Sequence, residues 1–131
     1  MAKPNPSDRK YTKEHEWAKP EGDVVTMGVT DHAQELLTDV VYVELPAVGK
    51  QVTQMQPIAV IESVKSVSDV FAPVSGEVVE ANSALEASPE MINQDAFGQG
   101  WLVKIRMSAP GELDALMDAA AYEEMVKSTP H

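Results

Sequence analysis

The chain has 131 residues, enough for one domain with a single hydrophobic core and too few for two comfortable ones. Hydrophobic residues make up 44% and charged residues 24% of it, which is ordinary globular composition. The formal net charge of −11 argues against nucleic acid or an anionic membrane as a partner, because both attract Lys and Arg patches. Cysteine is absent, so any sulfur chemistry must come from a cofactor.

Neither a membrane span nor a targeting segment is predicted. No apolar run approaches the roughly 18 residues that a transmembrane helix needs. The opening stretch MAKPNPSDRKYT lacks the apolar segment of a secretory signal and the arginine-rich amphipathic character of a transit peptide. We therefore expect a cytoplasmic protein, with a mature organelle protein that has lost its leader as the alternative.

Apolar and polar residues alternate in short stretches, separated by Pro and Gly turns about every ten residues. This pattern predicts a mainly β domain, a compact sandwich or barrel with small helices outside it. The predicted elements in chain order are a loose lead-in at 1–10, a strand at 24–30, a helix at 31–37, strands at 40–45, 58–61 and 67–71, a strand within 74–82, a long loop with short helical turns at 83–100 and a strand at 101–107. An amphipathic helical segment, broken near Asp118, follows at 112–126.

The stretch IAVIESVKSVSDVFAP, residues 58–73, predicts a β-hairpin with its tip at 62–66. Tight hairpin tips usually contain Gly or Asn, because their turns need positive φ. This tip has Val64 and Lys65 instead. The two apolar runs would hold Lys65 away from the body of the domain, and Val64 offers an apolar contact to a modifying enzyme. Such a lysine suits an amide link to a long acyl arm, whereas the ordinary alternative is a solvated surface lysine.

Residues that could catalyse a reaction are few. No HExxH motif, His–carboxylate triad or Gly-rich phosphate loop occurs. His15 stands between two glutamates, but strand neighbours point to opposite faces, so no metal site is predicted there. The serines around Lys65 invite a Ser–Lys pair, yet a hairpin tip lacks the desolvated pocket that activates one. A small enzyme that uses Lys65 as a Schiff-base nucleophile stays as an alternative, and it predicts a buried lysine.

The ESVK motif that ends at Lys65 resembles the H protein of the glycine cleavage system, and it differs from the Met-Lys-Met of biotin carriers and the Asp-Lys-Ala of 2-oxo-acid dehydrogenase lipoyl domains. The resemblance extends from about Lys10 to Val126. The similar blocks are KYTKEHEWAK, MGVTDHAQELL, VYVELPAVGK, IESVKSVSD, APVSGEVVEAN, PEMINQDAFGQGWLVKI and AAYEEMV. The resemblance implies a barrel-sandwich hybrid of the lipoyl/biotinyl hammerhead type. We expect a single domain over 1–131, with the lipoyl-binding core at about 24–106.

The resemblance implies a non-catalytic carrier with lipoic acid amide-linked to Lys65. The pyridoxal-phosphate-dependent P protein, a glycine dehydrogenase, would pass an aminomethyl group to the arm. The T protein, an aminomethyltransferase, would release ammonia and hand the one-carbon unit to tetrahydrofolate. The L protein, dihydrolipoyl dehydrogenase, would reoxidise the dithiol, and a lipoate-attaching enzyme would load the lysine. An H-like carrier that relays lipoyl or octanoyl groups is an alternative that the sequence barely separates.

Further positions follow from the same resemblance. Glu62, three residues before Lys65, resembles the acidic residue by which the attaching enzyme recognises the tip, where Val64 also lies. The carboxylates that match those holding the ammonium of a loaded, folded-back arm are Glu14, Glu16 and Asp69. Carboxylates suit a primary ammonium, although ordinary solvated acids are the alternative for each. Thr38 stands where the family usually has Gly, so we expect the first helix to end without a positive-φ cap.

Overall fold

The computed structural model describes residues 5–128, which form two antiparallel β-sheets with helices at their edges. The elements are β1 (Lys10–Tyr11), β2 (Glu16–Glu21), β3 (Val24–Val29), α1 (Asp31–Leu37), β4 (Val40–Glu44), β5 (Gln51–Val52), β6 (Pro57–Ser63), β7 (Val67–Phe71), β8 (Gly76–Ala81), α2 (Ala84–Ala87), α3 (Met91–Gln94), β9 (Val103–Met107), a 3-10 helix (Pro110–Ala115) and α4 (Ala119–Ser128). The larger sheet has the order β1-β2-β3-β9-β8-β5 and the smaller one β4-β6-β7. The predicted mainly β fold with small peripheral helices is confirmed.

The N-terminal part of the larger sheet differs from the prediction. β2 pairs with β3 along its whole length, from Glu16 opposite Val29 to Glu21 opposite Val24. Its sequence, EWAKPE, has no clear apolar alternation, so only the pairing makes it a strand. The prediction of a loose lead-in at 1–10 is wrong for Arg9 and Lys10. Lys10 begins β1, and the Arg9 guanidinium lies 4.6 Å from the centroid of the buried Trp17 ring. Residues 1–4 of that prediction lie outside the described part.

Both sheets contribute to one hydrophobic core. β9 shows the underlying alternation, because Val103, Ile105 and Met107 are buried while Lys104 and Arg106 point away from the core. The smaller sheet adds the buried residues Val43, Ile61 and Val70. The β6–β7 hairpin is therefore fixed at its base by core packing, and its tip extends beyond that core.

Helix α1 connects the two sheets, and its exit corrects one expectation. The side chain of Thr30 caps its N-terminus by accepting a hydrogen bond from a backbone N–H of the first turn. Thr38, which ends it, has φ 64° and ψ −147°, so the expectation of an exit without positive φ is wrong. Asn93 of α3 holds this segment by donating to the Thr38 carbonyl at 2.7 Å and accepting from the Val40 N–H at 2.9 Å. The abrupt turn from helix into β4 imposes this backbone conformation.

A second, aromatic cluster attaches the C-terminal helix to the larger sheet. The rings of Tyr11 on β1 and Tyr122 on α4 stack with centroids 5.0 Å apart. Trp17 of β2 covers Gly28 of β3, where a Cβ atom would lie 2.9 Å from the indole. The indole Nε1 donates to the carbonyl of Ala96 at 3.0 Å. Helix α4 is thus packed onto the side of the domain that carries β1 and β2.

The C-terminal helical segment is broken where the sequence predicts. A 3-10 helix ends at Ala115 and α4 begins at Ala119, and the carboxylate of Asp118 between them accepts a hydrogen bond from the N–H of Ala121 at 2.8 Å. Within residues 5–128, every helix is too short or too polar to cross a bilayer.

Candidate functional site

Lys65 lies at the tip of the β6–β7 hairpin, and its side chain is exposed. The N–H of Ser63 donates to the carbonyl of Ser66 at 2.8 Å. The Ser63 hydroxyl oxygen accepts hydrogen bonds from the N–H groups of Ser66 at 3.1 Å and Lys65 at 3.3 Å. Neither Val64 nor Lys65 has positive φ. The serine side chain satisfies the donors of this turn, so the tip has no need of the glycine that the sequence lacks.

A backbone hydrogen bond fastens the tip to the neighbouring strand. The N–H of Val64 donates to the carbonyl of Asp39, directly before β4, at 3.0 Å. The side chain of Val64 remains 66% exposed beside Lys65. The backbone of the tip is therefore held while both of these side chains project into solvent. The Schiff-base alternative requires a buried lysine, and the exposure of Lys65 contradicts it.

Glu62 lies on the outer face of the smaller sheet, next to the tip. It is opposite Tyr42 of β4 on one side and opposite Val67 of β7 on the other. Its neighbours along β6, Ile61 and Ser63, are buried on the inner face. Glu62 is half-buried, so its carboxylate is within reach of a molecule that covers this face.

A cleft of about 360 Å³ opens beside the tip. Its walls come from the turn before β2, from helix α1, and from β7. The lining residues are Glu14, His15, Glu16, Val29, Ala33, Leu36, Leu37, Ile61, Ser66, Ser68, Asp69, Val70 and Phe71. Ser66 belongs to the hairpin tip, so the cleft begins next to Lys65. A chain attached to that lysine could fold directly into it.

The three carboxylates that the resemblance groups together all line this cleft, but in different environments. Glu14 and Asp69 are exposed at its rim, whereas Glu16 is 1% exposed. The Glu16 carboxyl accepts hydrogen bonds from the Thr12 hydroxyl and from the Phe71 N–H at 3.2 Å. Burial raises the pKa of Glu16 to about 7, against the lowering effect of these two hydrogen bonds. The rim thus carries two solvent-facing acids, and the floor carries one desolvated acid.

Three side chains, of which only His15 lines the cleft, form a hydrogen-bonded group beside it that the sequence does not signal. Nδ1 of His15 lies 2.7 Å from the hydroxyl of Tyr122, which lies 2.8 Å from Oγ1 of Thr30. His15 lines the cleft, and Thr30, whose N–H donates to the His15 carbonyl at 3.0 Å, caps helix α1. Burial raises the pKa of Tyr122 to about 12, so its hydroxyl keeps its proton at neutral pH. One hydroxyl from the C-terminal helix therefore joins the side chain of the turn before β2 to the N-cap of α1.

Comparison with known proteins gives a consistent result. The sequence profile of the family described as "Glycine cleavage H-protein" matches residues 9–129. A glycine cleavage system H protein of Thermus thermophilus is 55% identical over 123 residues, which cover 94% of this chain and 96% of that protein. That of Symbiobacterium thermophilum is 54% identical over 122 residues, 93% of this chain and 95% of the other.

A solved structure agrees in shape as well as in sequence. The crystal structure of a glycine cleavage system H protein from Mycobacterium marinum has a TM-score of 0.86 and 38% identity, and it covers 94% of this chain and 99% of that one. The likeness confirms the barrel-sandwich hybrid fold that the sequence resemblance implies. The match of profile, relatives and structure over nearly the whole length confirms the resemblance itself, and the chain belongs to the glycine cleavage H-protein family.

Proposed function

We propose that the protein carries lipoic acid on Lys65 and serves as the H protein of a glycine cleavage system. As a member of that family it is a carrier within a multienzyme system and not itself a catalyst. The observation that carries the residue assignment is the position of the exposed Lys65 on a hydrogen-bonded tip beside the carboxylate-lined cleft. A relay carrier for lipoyl or octanoyl groups would need the lysine but would have no use for that cleft.

The residues at the tip fit an amide-linked lipoyl group. The lysine is exposed, and its neighbours Val64 and Ser66 are exposed as well, so an attaching enzyme has access to Nζ. When bound, lipoate supplies the two sulfurs that this cysteine-free chain lacks. The tip's hydrogen bonds give the arm a fixed origin, which keeps its far end concentrated near any docked enzyme. Glu62 and Val64 serve recognition by the attaching enzyme.

The cleft would hold the loaded arm between transfers. Glu14 and Asp69 at the rim would accept hydrogen bonds from the primary ammonium of an aminomethyl group, and charge-assisted bonds of this kind are the stronger ones. Leu36 and Leu37 of α1 present apolar surface to the hydrocarbon part of the arm. The buried Glu16 contributes less directly, because both its oxygens already accept hydrogen bonds from the protein.

The partners in this proposal are the P, T and L proteins and the lipoate-attaching enzyme. Contacts with them must be brief, because one carrier serves several enzymes in turn. The net charge of −11 supports rapid encounter with basic docking surfaces without requiring slow dissociation. The relatives named above are bacterial, so we place the carrier in the cytoplasm.

Intact mass spectrometry tests the attachment site. The wild type, Lys65→Arg and the matched control Lys50→Arg are incubated with a lipoate ligase, lipoate and ATP. We expect one lipoyl-sized increment on the wild type and on Lys50→Arg and none on Lys65→Arg, because a guanidinium does not form the amide. An unmodified wild type, with the ligase active on a known lipoyl domain, would refute lipoylation. An increment on Lys65→Arg would move the attachment site elsewhere.

A further inference from the structure

The turn before β2 contains an imidazole at a position where glycine is the usual residue. The N–H of His15 donates to the carbonyl of Thr12 at 3.3 Å, and the N–H of Thr12 donates to the carbonyl of Glu16 at 2.9 Å. These bonds close a three-residue hairpin loop, residues 13–15, between β1 and β2. The last residue of such a loop has a left-handed backbone, and His15 has φ 73°. Glycine adopts this conformation without strain, so turn formation alone does not account for the imidazole.

The imidazole of His15 contacts two helices. Its Nδ1 lies 2.7 Å from the hydroxyl oxygen of Tyr122 on α4. Its ring centroid lies 5.0 Å from that of His32, in the first turn of α1, and the two ring planes are tilted by 54°. The His15 carbonyl accepts a hydrogen bond from the N–H of Thr30, directly before α1. The loop is thus attached to α1 through its backbone and its side chain, and to α4 through the side chain.

Tyr122 is held in place by contacts outside the loop. Its side chain is completely buried, and its ring stacks on that of Tyr11 with centroids 5.0 Å apart. Its hydroxyl lies 2.8 Å from Oγ1 of Thr30, which also accepts a hydrogen bond from the N–H of Ala33. A phenol hydroxyl can donate one hydrogen bond and accept another, so it can pair with Thr30 and His15 together. Among residues 5–128, α4 contributes no side chain to the cleft lining, yet its hydroxyl contacts a residue that does.

The position of His15 affects the two carboxylates next to it in the chain. Glu14 is exposed at the rim of the cleft, and Glu16 is buried at its floor. The N–H groups of both glutamates donate to the hydroxyl oxygen of Thr12 at 3.2 Å, inside the same loop. A displacement of the imidazole would therefore move both carboxylates and open this wall of the cleft to water.

We propose that His15 is a positioning residue for the loaded arm, held by the hydroxyl of Tyr122, so that helix α4 controls how well the cleft excludes water. For the arm, this inference rests on the proposed function. Hydrolysis of the aminomethyl group requires water to reach it, and a fixed loop keeps the carboxylate of Glu14 at the rim and limits that access. A glycine at position 15 would form the same turn but would have no side-chain attachment to α1 or α4.

The first test uses the unlipoylated protein, so it does not depend on the arm. His15→Asn retains a residue that tolerates the left-handed backbone but lacks the ring that contacts both helices. Tyr122→Phe keeps the stacked ring and removes only the hydroxyl. Hydrogen–deuterium exchange with mass spectrometry measures opening of the loop at residues 12–16. We expect each variant to increase the exchange rate there about fivefold to tenfold, because a buried hydrogen bond is lost.

A control separates loop positioning from a general loss of stability. Ile105→Val removes one methyl group from the core at β9, outside the cleft lining. We expect it to change loop exchange by less than about twofold. Thermal unfolding followed by circular dichroism verifies the fold of each variant. Should Tyr122→Phe not fold, His15→Asn tests the same attachment from the loop side.

The second test measures the lifetime of the loaded arm, as the decay of the aminomethyl-loaded mass peak after removal of the P protein. We expect decay about threefold to tenfold faster in His15→Asn and in Tyr122→Phe, and the wild-type rate in Ile105→Val. The double variant should decay within about twofold of the faster single variant, because both substitutions remove the same contact. A double variant with the product of the two single effects would show that the side chains act independently and would contradict the proposal.

The two measurements distinguish the possible failures. Wild-type loop exchange in both single variants would overturn the attachment of the loop to α4. Faster exchange combined with wild-type decay would show that the attached loop does not protect the arm, and this also refutes the proposal. A wild type that accepts no lipoate would remove the proposed function, and with it the role of His15 toward the arm, whatever the exchange rates show about the loop.

Discussion

The carboxyl of Glu16 accepts a hydrogen bond from the backbone N–H of Phe71 at 3.2 Å, so a single side chain of β2 joins the larger sheet to β7, the edge strand of the smaller one. The other carboxyl oxygen accepts a hydrogen bond from the Thr12 hydroxyl. This contact forms the floor of the cleft at the point where the two sheets meet. Burying an ionised carboxylate is unfavourable, and the structure balances that cost with only two hydrogen bonds.

The stability of the protein should therefore depend on the protonation of Glu16. Its pKa is raised from an ordinary 4.5 to about 7 by burial, so the folded state binds a proton more tightly than the unfolded chain does. Between about pH 4.5 and pH 7 the folded state holds this proton and the unfolded state has lost it, and stability must fall as pH rises. Above about pH 7 the full cost of the buried charge is present and this contribution stops changing.

Glu16→Gln tests this relationship, because glutamine stays neutral and its carbonyl can still accept from Phe71. We expect the free energy of unfolding of Glu16→Gln, relative to wild type, to rise by on the order of 1–3 kcal/mol between about pH 5 and pH 8. Urea unfolding at several pH values measures it. Glu21→Gln, at the exposed far end of the same strand, is the control and should run parallel to wild type. A Glu16→Gln profile parallel to wild type would show that the carboxyl is already ionised throughout.

The rim carboxylates should protect the loaded arm. Glu14→Gln and Asp69→Asn preserve size and remove the negative charge that the ammonium would face. We expect both variants to be lipoylated normally and to lose the bound aminomethyl group about threefold to tenfold faster. The measurement is the decay of the aminomethyl-loaded mass peak after removal of the P protein. Glu90→Gln, which lies outside the cleft lining, is the control. Decay at the wild-type rate in both variants would reject the ammonium site.

The hydroxyl of Tyr122 should contribute measurably to stability, since it lies within hydrogen-bond distance of the side chains of both His15 and Thr30. Tyr122→Phe keeps the stacked ring and leaves the buried Thr30 and the half-buried His15 without this hydroxyl. We expect a loss of about 1–3 kcal/mol in the free energy of unfolding. Urea unfolding measures it, with Tyr42→Phe as the control because the ring of Tyr42 is half exposed. Equal stability of the two variants would mean that water replaces the buried hydroxyl at no cost.

Thr38 offers a stabilising substitution. A β-branched residue at φ 64° is strained, at a cost on the order of 1–3 kcal/mol, whereas glycine adopts this conformation freely. Thr38→Gly should relieve more strain than it adds in unfolded-state entropy, with a net gain of about 1 kcal/mol. The midpoint of urea unfolding reports the change. Thr53→Gly serves as the comparison, since Thr53 is exposed and has no positive φ, and it should destabilise. A destabilised Thr38→Gly would show that the stabilisation by the threonine side chain is larger than the strain energy of its backbone.

The hairpin and its lysine follow from local sequence. β6, the tip and β7 are consecutive, so their apolar alternation and their register depend on residues fewer than about 15 positions apart. The serines that make the turn lie within the same stretch. Helix α1 is local as well, with its cap at Thr30 directly before its first turn. These elements and the exposed Lys65 were predictable because no distant residue is needed to form them.

The cleft forms only through the tertiary structure. β2 becomes a strand only through pairing with β3, and that pairing carries Glu14 and Glu16 to the side of Asp69, more than 50 residues away in the chain. No local pattern distinguishes the exposed Glu14 from the buried Glu16, because burial is set by what the folded chain places over each side chain. The bond between His15 and Tyr122 spans 107 residues. The local sequence determines where the exposed Lys65 lies, and only the packing of distant segments determines the cleft in which the proposed arm would rest.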